Sequence, residues 1–453
     1  MSALTDLLLQ GPSSAAELRS SLAVSQATFS RLVSAHQDVI QFGKARATRY
    51  ALVRPVRGVA AFPLWQVNAQ GQAAKFGVLY PCWPQGSCLV ALDTGEWQWF
   101  DSLPWYLTDL RPQGFLGRAW GRTVAGYAHL PDDIRLWQED EVLYALRAYQ
   151  GENAGGWIVG EENYQRWVTA PDATAITQSE KLNRYQQLAE DALAGEVIGS
   201  SAGGEQPKFA CFAETRWGNQ NVLVKFSARA RNTVSERWSD LLIAESIALA
   251  VLSAASINAS LATAICSEGG QVFLESIRFD CTGIRGRRQI VSLEALQGEY
   301  ASSPGIWPVV THRLAGQGII DAVAHQQIEK IWAFGRLIAN SDMHAGNLSF
   351  YYSDAPMALA PVYDMLPMAL APVYDMLPMA YAPAASGMLR YAPVDIRVEA
   401  TIDKKAWEFA LPLAERFWVL VADDKRISAG FQEIARAMVG KLKLAAQTIG
   451  RLA

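Results

Sequence analysis

The pair of residues with the clearest chemistry lies in the polar segment NSDMHAGNLSF, residues 340–350. Asp342 and Asn347 stand in a D-x-x-x-x-N relation, which is the spacing of a kinase catalytic loop. In such a loop the aspartate accepts the hydrogen bond of the attacking hydroxyl group, and the asparagine binds a Mg²⁺ ion at the phosphates. Because this spacing often arises by chance, the interpretation depends on the residues around it.

A second carboxylate follows this loop, and the chain carries it twice. The sequence PMALAPVYDML occupies residues 356–366 and is repeated identically at 367–377, so that Asp364 and Asp375 lie 22 and 33 residues after Asp342. The strand-like run after Asn347 and the apolar run before Asp364 predict a hairpin that brings a carboxylate beside Asn347. We favour Asp364 as the metal ligand because the shorter hairpin keeps the strand pair continuous, and Asp375 is the alternative.

Two features upstream could contact phosphates. The loop SSAGGEQPKF, residues 200–209, could offer backbone N–H groups to phosphate oxygens, although an ordinary hairpin also explains its glycines. Lys225 stands in the apolar run NVLVKF, where a buried ammonium group is costly unless it is paired. A phosphate contact is one explanation, and an edge-strand lysine that extends to water is the other.

The motifs also follow one another in the order of the kinase plan. That order is the loop, the strand lysine, an acidic helix with Asp240 and Glu245, the D-x-x-x-x-N spacing and a late aspartate.

The first 57 residues have the pattern of a DNA-binding element. Three short helical patterns, one with a capping box at Ser14 and Glu17, precede two strands around a basic tip at residues 43–48. This is the order of a winged helix-turn-helix, whose third helix enters the major groove. A small protein-interaction domain is the alternative. The residues expected to contact DNA are Gln26, Ser30 and Arg31 on the third helix and Lys44, Arg46 and Arg49 in the wing.

Length and composition are typical of a multidomain globular protein. The chain has 453 residues, of which half are hydrophobic and 19% are charged, and it shows no apolar run of about 18 residues that would cross a membrane. Its five cysteines lack metal-ligand spacing and its first residues lack a signal-peptide pattern, so we expect a cytoplasmic protein. The net charge of −4 conceals a basic segment, because residues 1–57 hold seven Lys/Arg and three acidic residues.

Over roughly residues 60–450 these motifs resemble the HipA family of bacterial serine/threonine kinases. SAGGEQPK is similar to the family's Gly-rich loop, VLVKF to its lysine strand, and ESIRFD (275–280) to its hinge. N-x-D-x-H-x-x-N is met by residues 340–347 and P-x-Y-D by PVYD, while LPWYLTDLRPQGFLGR (103–118) is similar to an aromatic segment of the family's N-terminal part. The duplicated PVYD departs from the family pattern. So does the fused winged helix, which resembles the YjjJ (HipH) type of the family.

The resemblance implies an α+β fold, a two-lobed HipA-like kinase with a mainly helical C-terminal lobe, preceded by the winged helix. We therefore expect three domains. They are the winged helix at 1–57, the kinase N-terminal lobe with a small β subdomain and the Gly-rich loop at 58–275, and the C-terminal lobe with the catalytic loop at 276–453.

The resemblance also implies ATP and Mg²⁺ as cofactors and assigns roles to individual residues. Asp342, Asn347 and Lys225 are expected to be catalytic, and Asn347 with Asp364 or Asp375 to hold the metal. Family members phosphorylate a serine of their own Gly-rich loop, which silences the enzyme, and Ser201 matches that position with Ser200 adjoining it. The residues expected to bind ATP are Ala202, Gly203, Gly204, Glu205, Gln206, Lys208, Lys225, Glu275, Ile277, Phe279, His344, Asn347 and Asp364.

The partners implied are a protein substrate and double-stranded DNA bound through residues 1–57. Some family members phosphorylate aminoacyl-tRNA synthetases, so a translation component is a candidate substrate, and typical members depend on a separate HipB-like antitoxin. Two other functions fit the residues. One is a DNA-binding transcriptional regulator whose kinase fold is silent, and the other is a small-molecule phosphotransferase, which uses the same D-x-x-x-x-N chemistry.

Overall fold

The N-terminal segment forms three helices and a small sheet. The computed structural model describes residues 2–149, 153–194, 206–301, 303–370 and 394–452. The capping box is confirmed, because Ser14 Oγ accepts from Glu17 N and Glu17 Oε2 accepts from Ser14 N. The strands pair in the order β1-β3-β2, and the element order is that of winged helix-turn-helix domains. The elements are α1 (Ala3–Leu8), β1 (Ser13–Ser14), α2 (Ala15–Leu22), α3 (Gln26–Ser34), β2 (Val39–Phe42) and β3 (Arg49–Leu52).

A five-stranded antiparallel sheet follows in the order β7-β6-β5-β4-β8. Its elements are β4 (Phe62–Val67), β5 (Ala73–Pro81), β6 (Cys88–Leu92), β7 (Trp97–Phe100), α4 (Gly114–Ala128), α5 (Glu139–Ala148), β8 (Trp157–Val159) and α6 (Glu161–Thr169). The chain divides into two compact units. The first comprises Met1–Gln113 and Trp120–Pro171, and the second comprises Gly114–Ala119 and Asp172–Ala453.

Within the first unit, the N-terminal segment packs on the five-stranded sheet. Phe42 at the end of β2 stacks on Trp99 of β7, with ring centroids 6.3 Å apart. Arg54 makes a bidentate ion pair with Asp140 of α5, with both N–O distances 2.6 Å. The wing strands and the sheet therefore share one core, and the division expected after residue 57 stays a prediction.

The second unit begins with a four-stranded antiparallel sheet in the order β11-β12-β10-β9. The long helix α8 packs on this sheet and is buried on most of its surface. Asn232 caps its first turn by accepting from Val234 N and Ser235 N, which fixes where the helix begins. The elements are α7 (Lys181–Ala194), β9 (Lys208–Thr215), β10 (Gly218–Phe226), α8 (Thr233–Ala254), β11 (Ala262–Cys266) and β12 (Val272–Ile277).

The rest of the second unit is mainly helical. The hairpin expected after Asn347 is confirmed, because Phe350 pairs with Leu359 and Tyr351 with Ala358 across β16 and β17. The elements are β13 (Cys281–Thr282), β14 (Gly286–Arg287), β15 (Ile290–Ser292), α9 (Leu293–Tyr300), α10 (Trp307–Gly316), α11 (Ala322–Leu337), β16 (Ser349–Tyr351), β17 (Ala358–Leu359), α12 (Lys404–Asp423) and α13 (Ala429–Gly450). The named strands pair antiparallel and are combined with helices in both units, so the α+β class is confirmed. None of the helices in the described part of the chain combines the length and apolar character needed to cross a bilayer.

We expect Arg54→Ala to lower the free energy of unfolding of the first unit by about 3 kcal/mol, because it leaves the Asp140 carboxylate unpaired in a partly buried site. The Arg54 side chain is 11% exposed, whereas that of Arg135, which pairs with Asp133 in a similar geometry, is 81% exposed. Arg135→Ala is therefore the matched control and should leave stability unchanged. Urea denaturation followed by tryptophan fluorescence measures both, and equal effects would contradict the shared core.

Candidate active site

Lys225 is the buried centre of the candidate site. It lies on β10, an inner strand of the four-stranded sheet, and is 5% exposed, so the edge-strand explanation is wrong. Its Nζ donates to both carboxylate oxygens of Glu245 on α8, at 2.8 and 2.9 Å, and to Oδ1 of Asp364 beyond β17. The ammonium group is thus paired with two carboxylates that come from distant parts of the chain.

Lys225 and Asp364 favour each other's charged form, whereas burial raises the pKa of Glu245 although the charge of Lys225 opposes this. Burial alone would lower the pKa of Lys225, but the carboxylates of Asp364 and Glu245 outweigh burial and raise that pKa. Burial alone would raise the pKa of Asp364, but the charges of Lys225 and Lys208 hold that pKa below its ordinary value. Asp364 is therefore a carboxylate at neutral pH, which is the form that a metal ion requires.

The loop of residues 340–347 is tied to Asp364 through Asn340. Asn340 Nδ2 donates to the carbonyl oxygen of Asp364 at 3.1 Å, and its Oδ1 accepts from Asp342 N at 3.0 Å. Asn347 Nδ2 donates to the carbonyl oxygen of Asp342 at 2.8 Å. Burial raises the pKa of the Asp342 carboxyl, and the nearby His344 opposes this, so the group is a better proton acceptor than an exposed aspartate.

His344 and a glycine on α11 brace this loop. His344 Nδ1 accepts from Gly346 N at 3.1 Å, and its carbonyl oxygen accepts from Trp307 Nε1 at 2.8 Å. A β carbon at Gly335 would overlap the sulfur of Met343, so the end of the Met343 side chain packs directly against the backbone of α11 at this position. These contacts give His344 the role of a structural brace.

The donor atoms suit a Mg²⁺ ion. The contact to Asp342 uses the amide nitrogen of Asn347, and the Oδ1 atom of Asn347 is a hard oxygen of the kind that Mg²⁺ prefers. Mg²⁺ is commonly held by one or two protein oxygens together with substrate phosphates. No cluster of three or more His, Cys, Asp or Glu side chains suited to a metal occurs among the described residues.

The remaining expected ATP contacts are distributed around β9, β10 and β12. Lys208 on β9 lies directly opposite Lys225 in the strand register, and Gln206 Nε2 donates to the carbonyl oxygen of Phe226. Phe279 follows β12 and faces the ring of Tyr363 at 5.5 Å. Ser200, Ser201, Ala202, Gly203, Gly204, Glu205 and Asp375 lie outside the described residues.

Two expected hinge residues are engaged within the N-terminal sheet. The Glu275 side chain accepts from Lys181 Nζ at 2.8 Å and from Tyr185 OH at 2.6 Å, both on α7. Ile277 N donates to the carbonyl oxygen of Leu261 at 2.9 Å. Glu275 therefore anchors α7 to β12, and its side chain is committed to that contact.

Two residues of the site, Glu245 and Asn340, are expected from the sequence only as members of the acidic helix and of the N-x-D-x-H-x-x-N motif, without roles of their own. Each is buried, with 1% and 2% exposure, and each makes the hydrogen bonds that connect separate elements. A lone carboxylate in the apolar run LLIAESIALAV, residues 241–251, was the available signal for Glu245, because a buried charge requires a partner.

The expected DNA-contacting residues lie on one helix and one hairpin of the first unit. Gln26, Ser30 and Arg31 are exposed on α3, where Phe29 faces the core. Lys44 and Arg46 are exposed between β2 and β3, and Arg49 is half-buried. Gln26 Oε1 accepts from Arg19 Nη1 of α2 at 2.6 Å, which orients the Gln26 amide.

Comparison with known proteins identifies the family. A model described as the YjjJ-like toxin middle domain matches residues 59–168, and one described as the HipA-like C-terminal domain matches residues 200–447. The chain is 57% identical over 452 residues to Toxin YjjJ of Escherichia coli (strain K12), and the match covers 100% of each protein. The chain belongs to the YjjJ-like toxins.

Solved structures support the HipA-like kinase fold of this YjjJ-like chain. A chain of the Shewanella oneidensis MR-1 toxin–antitoxin complex of HipA, HipB and its operator DNA matches with a TM-score of 0.50 and 14% identity, over 86% of this chain and 99% of that one. At this identity the similarity is one of fold. The Helicobacter pylori proinflammatory kinase CtkA matches with a TM-score of 0.38 and 13% identity over 53% of this chain and 88% of that one, a similarity too distant to carry an argument.

We expect Lys225→Met to lower the free energy of unfolding by about 3 kcal/mol at neutral pH, because it leaves the buried Glu245 and the part-buried Asp364 carboxylates without their cation. The lowered pKa of Asp364 means that its stabilising pair is present above the unfolded pKa and lost as the pH falls through the folded pKa. Protonation also relieves the unpaired carboxylates of the variant. The deficit should therefore shrink towards pH 4 in denaturation curves, and a pH-independent deficit would contradict this electrostatic account.

Proposed function

We propose that this YjjJ-like chain is an ATP- and Mg²⁺-dependent kinase that phosphorylates serine or threonine in a protein. The observation that carries the proposal is the connection between Lys225 and the catalytic loop, in which Lys225 contacts Asp364 and Asn340 bonds both Asp364 and Asp342. Phosphoryl transfer depends mainly on positioning and on electrostatic stabilisation, and this connection provides both.

Each residue of the cluster has a distinct role in this proposal. Asp342 accepts the hydrogen bond of the attacking hydroxyl group and takes its proton. Asn347 and Asp364 would hold Mg²⁺, which neutralises charge that develops on the transferring phosphate. Lys225 contacts the ATP phosphates, and Glu245 keeps its ammonium group in place. The backbone of residues 202–205 is assigned to cover the phosphates.

A catalytically silent regulator and a small-molecule phosphotransferase are the two competing functions. The purified chain with Mg²⁺ and labelled ATP separates them, because a silent fold gives no transfer. A small-molecule enzyme would place the label on a metabolite and leave protein unlabelled. The kinase proposal expects the label on serine or threonine of a protein, including the chain itself. An aminoacyl-tRNA synthetase, the substrate class implied by the resemblance to HipA, is a natural first test protein.

We expect Asp342→Ala and Asn347→Ala each to reduce phosphate transfer to protein by at least about 100-fold, because general base catalysis and metal binding act on the transition state. The reaction is measured with labelled ATP, and circular dichroism checks that each variant is folded. Asp354→Ala, at an exposed position in the turn between β16 and β17, is the control and should retain full transfer. Near wild-type transfer by a folded Asp342→Ala chain would refute the assignment.

The same assay addresses the duplicated aspartate and the Gly-rich loop. Asp364→Asn should abolish Mg²⁺-dependent transfer while Asp375→Asn retains it, and the reverse result would move the metal ligand to Asp375.

We also propose that the chain phosphorylates Ser201, or Ser200 beside it. A phosphoserine carries nearly two negative charges, so at this position it would exclude the ATP phosphates and silence the enzyme. Mass spectrometry of the reaction products locates the phosphate.

We further propose that α3 and the wing of the first unit bind duplex DNA. The support is the exposed set of polar and basic residues on α3 and between β2 and β3, within an element order that places one helix in the major groove. The distant HipA relative was solved together with HipB and operator DNA. In this chain the proposed DNA-binding element belongs to the same polypeptide as the kinase fold.

We expect replacement of Lys44, Arg46 and Arg49 by alanine to weaken DNA binding by the full chain and to flatten its salt dependence. Each phosphate contact contributes about −0.9 to the slope of log K against log salt concentration, so the slope should become shallower by up to about 3. Fluorescence anisotropy with a labelled duplex at several salt concentrations measures it. Replacing Lys425, Lys443 and Arg451 makes the same change in net charge on the second unit and should leave the slope unaltered. No binding to any duplex at low salt would favour the protein-interaction alternative.

A further inference from the structure

Helix α8 carries a second buried carboxylate that the kinase chemistry does not use. Asp240 is 2% exposed. Its Oδ1 accepts from Ser428 N at 2.8 Å and its Oδ2 accepts from Ser428 Oγ at 2.6 Å. Ser428 is the N-cap of α13 and also accepts from Phe431 N at 3.3 Å. A carboxylate of α8 therefore fixes the first turn of the C-terminal helix.

A neighbouring cation–aromatic contact joins the same two helices. The Arg237 guanidinium lies 4.7 Å from the centroid of the Phe431 ring. Arg237 and Asp240 are three residues apart and so share one face of α8, while Phe431 is in the first turn of α13. The face of α8 that contacts α13 thus combines a doubly hydrogen-bonded carboxylate with a stacked guanidinium.

The electrostatics favour the ionised form of Asp240 at neutral pH. Burial raises its pKa to about 6, and the hydrogen bonds from Ser428 oppose the rise. The carboxylate faces the first N–H groups of α13, where the helix dipole stabilises a negative charge.

Asp240 and Glu245 hold α8 from two sides. Five residues along an α-helix correspond to a rotation of about 140° and a rise of about 7.5 Å. Asp240 therefore faces α13 while Glu245 faces β10, where it pairs with Lys225. Because α8 is one continuous helix, a rotation or shift that released Asp240 would also displace the Glu245 carboxylate from Lys225.

We propose that Asp240 is a positioning residue for phosphoryl transfer, which anchors α8 to Ser428 and thereby sets the Lys225–Glu245 pair. This inference rests on the proposed kinase function. It goes beyond that function by assigning control of the Lys225 geometry to a contact with the C-terminal helix α13, which contributes no expected catalytic or ATP-binding residue.

The test compares Asp240→Ala with Asp240→Asn and with a matched control in the full chain. Asp240→Ala should reduce kcat/KM for ATP about 10- to 100-fold, because small misplacements of a positioning group have effects of this size. Asp240→Asn should stay within about threefold, since its carbonyl oxygen still accepts from Ser428 N and its amide can donate to Ser428 Oγ. Asp321→Ala is the control, because Asp321 caps α11 by accepting from Ala324 N and its loss removes a helix cap that does not involve α8.

A double-mutant cycle distinguishes positioning from general destabilisation. In a Glu245→Gln background, Asp240→Ala should add little further loss, because both changes act on the same pair. Additive losses, or equal kinetic effects of Asp240→Ala and Asp321→Ala, would overturn the proposal. A loss in Asp240→Asn as large as in Asp240→Ala would exclude hydrogen bonding to Ser428 as the cause.

Hydrogen exchange separates this proposal from the kinase proposal. Amides of residues 241–248 and of β10 should exchange faster in Asp240→Ala than in wild type or Asp321→Ala, whether or not the chain turns over ATP. A wild-type chain without any phosphate transfer would overturn the kinase function alone. Unchanged exchange in Asp240→Ala would overturn the anchoring of α8.

Discussion

The ammonium group of Lys225 is buried, with the residue 5% exposed, and two distant parts of the second unit supply carboxylates to it. Lys225 has β9 on one side and β12 on the other, and Glu245 and Asp364 compensate its charge. A buried charge that loses its partner is strongly destabilising. The helix α8, the strand β10 and the segment after β17 must therefore keep fixed relative positions. A site that binds phosphates requires the same fixed positions.

The catalytic loop depends on this arrangement through backbone contacts. Asn340 bonds the Asp364 carbonyl and the Asp342 amide, so the position of Asp364 is transmitted to Asp342 through a single buried amide. Asn347 closes the loop on the Asp342 carbonyl. These bonds use the backbone of Asp342 and Asp364, while Oδ1 of the Asp364 carboxylate accepts from Lys225 Nζ. In the proposed kinase, the backbone atoms of Asp342 and Asp364 would support the loop, and their carboxylates would take part in phosphoryl transfer.

The first unit is also held together by contacts between residues that are far apart in the sequence. The N-terminal helices have an apolar core that includes Leu8, Leu18 and Phe29. The wing strands also contact the middle segment, because Phe42 packs on Trp99 and Arg54 pairs with Asp140. Trp83, between β5 and β6, packs against the core of the three helices. A force on the wing would therefore be transmitted to the five-stranded sheet. The exposed faces of α3 and the wing remain available to a partner while their inner faces are held by the middle segment.

Features that depend on neighbouring residues could be predicted from the sequence alone. The capping box of Ser14 and Glu17, the β16–β17 hairpin and the D-x-x-x-x-N spacing of Asp342 and Asn347 each involve residues close in the chain, so local sequence determines them. The partners of the buried charges could not be predicted in this way. Lys225 meets Asp364 across 139 positions, and Glu275 is bound by Lys181 across 94. Such contacts depend on how helices and sheets pack, and only the tertiary structure decides which carboxylate offsets the desolvation of each buried cation.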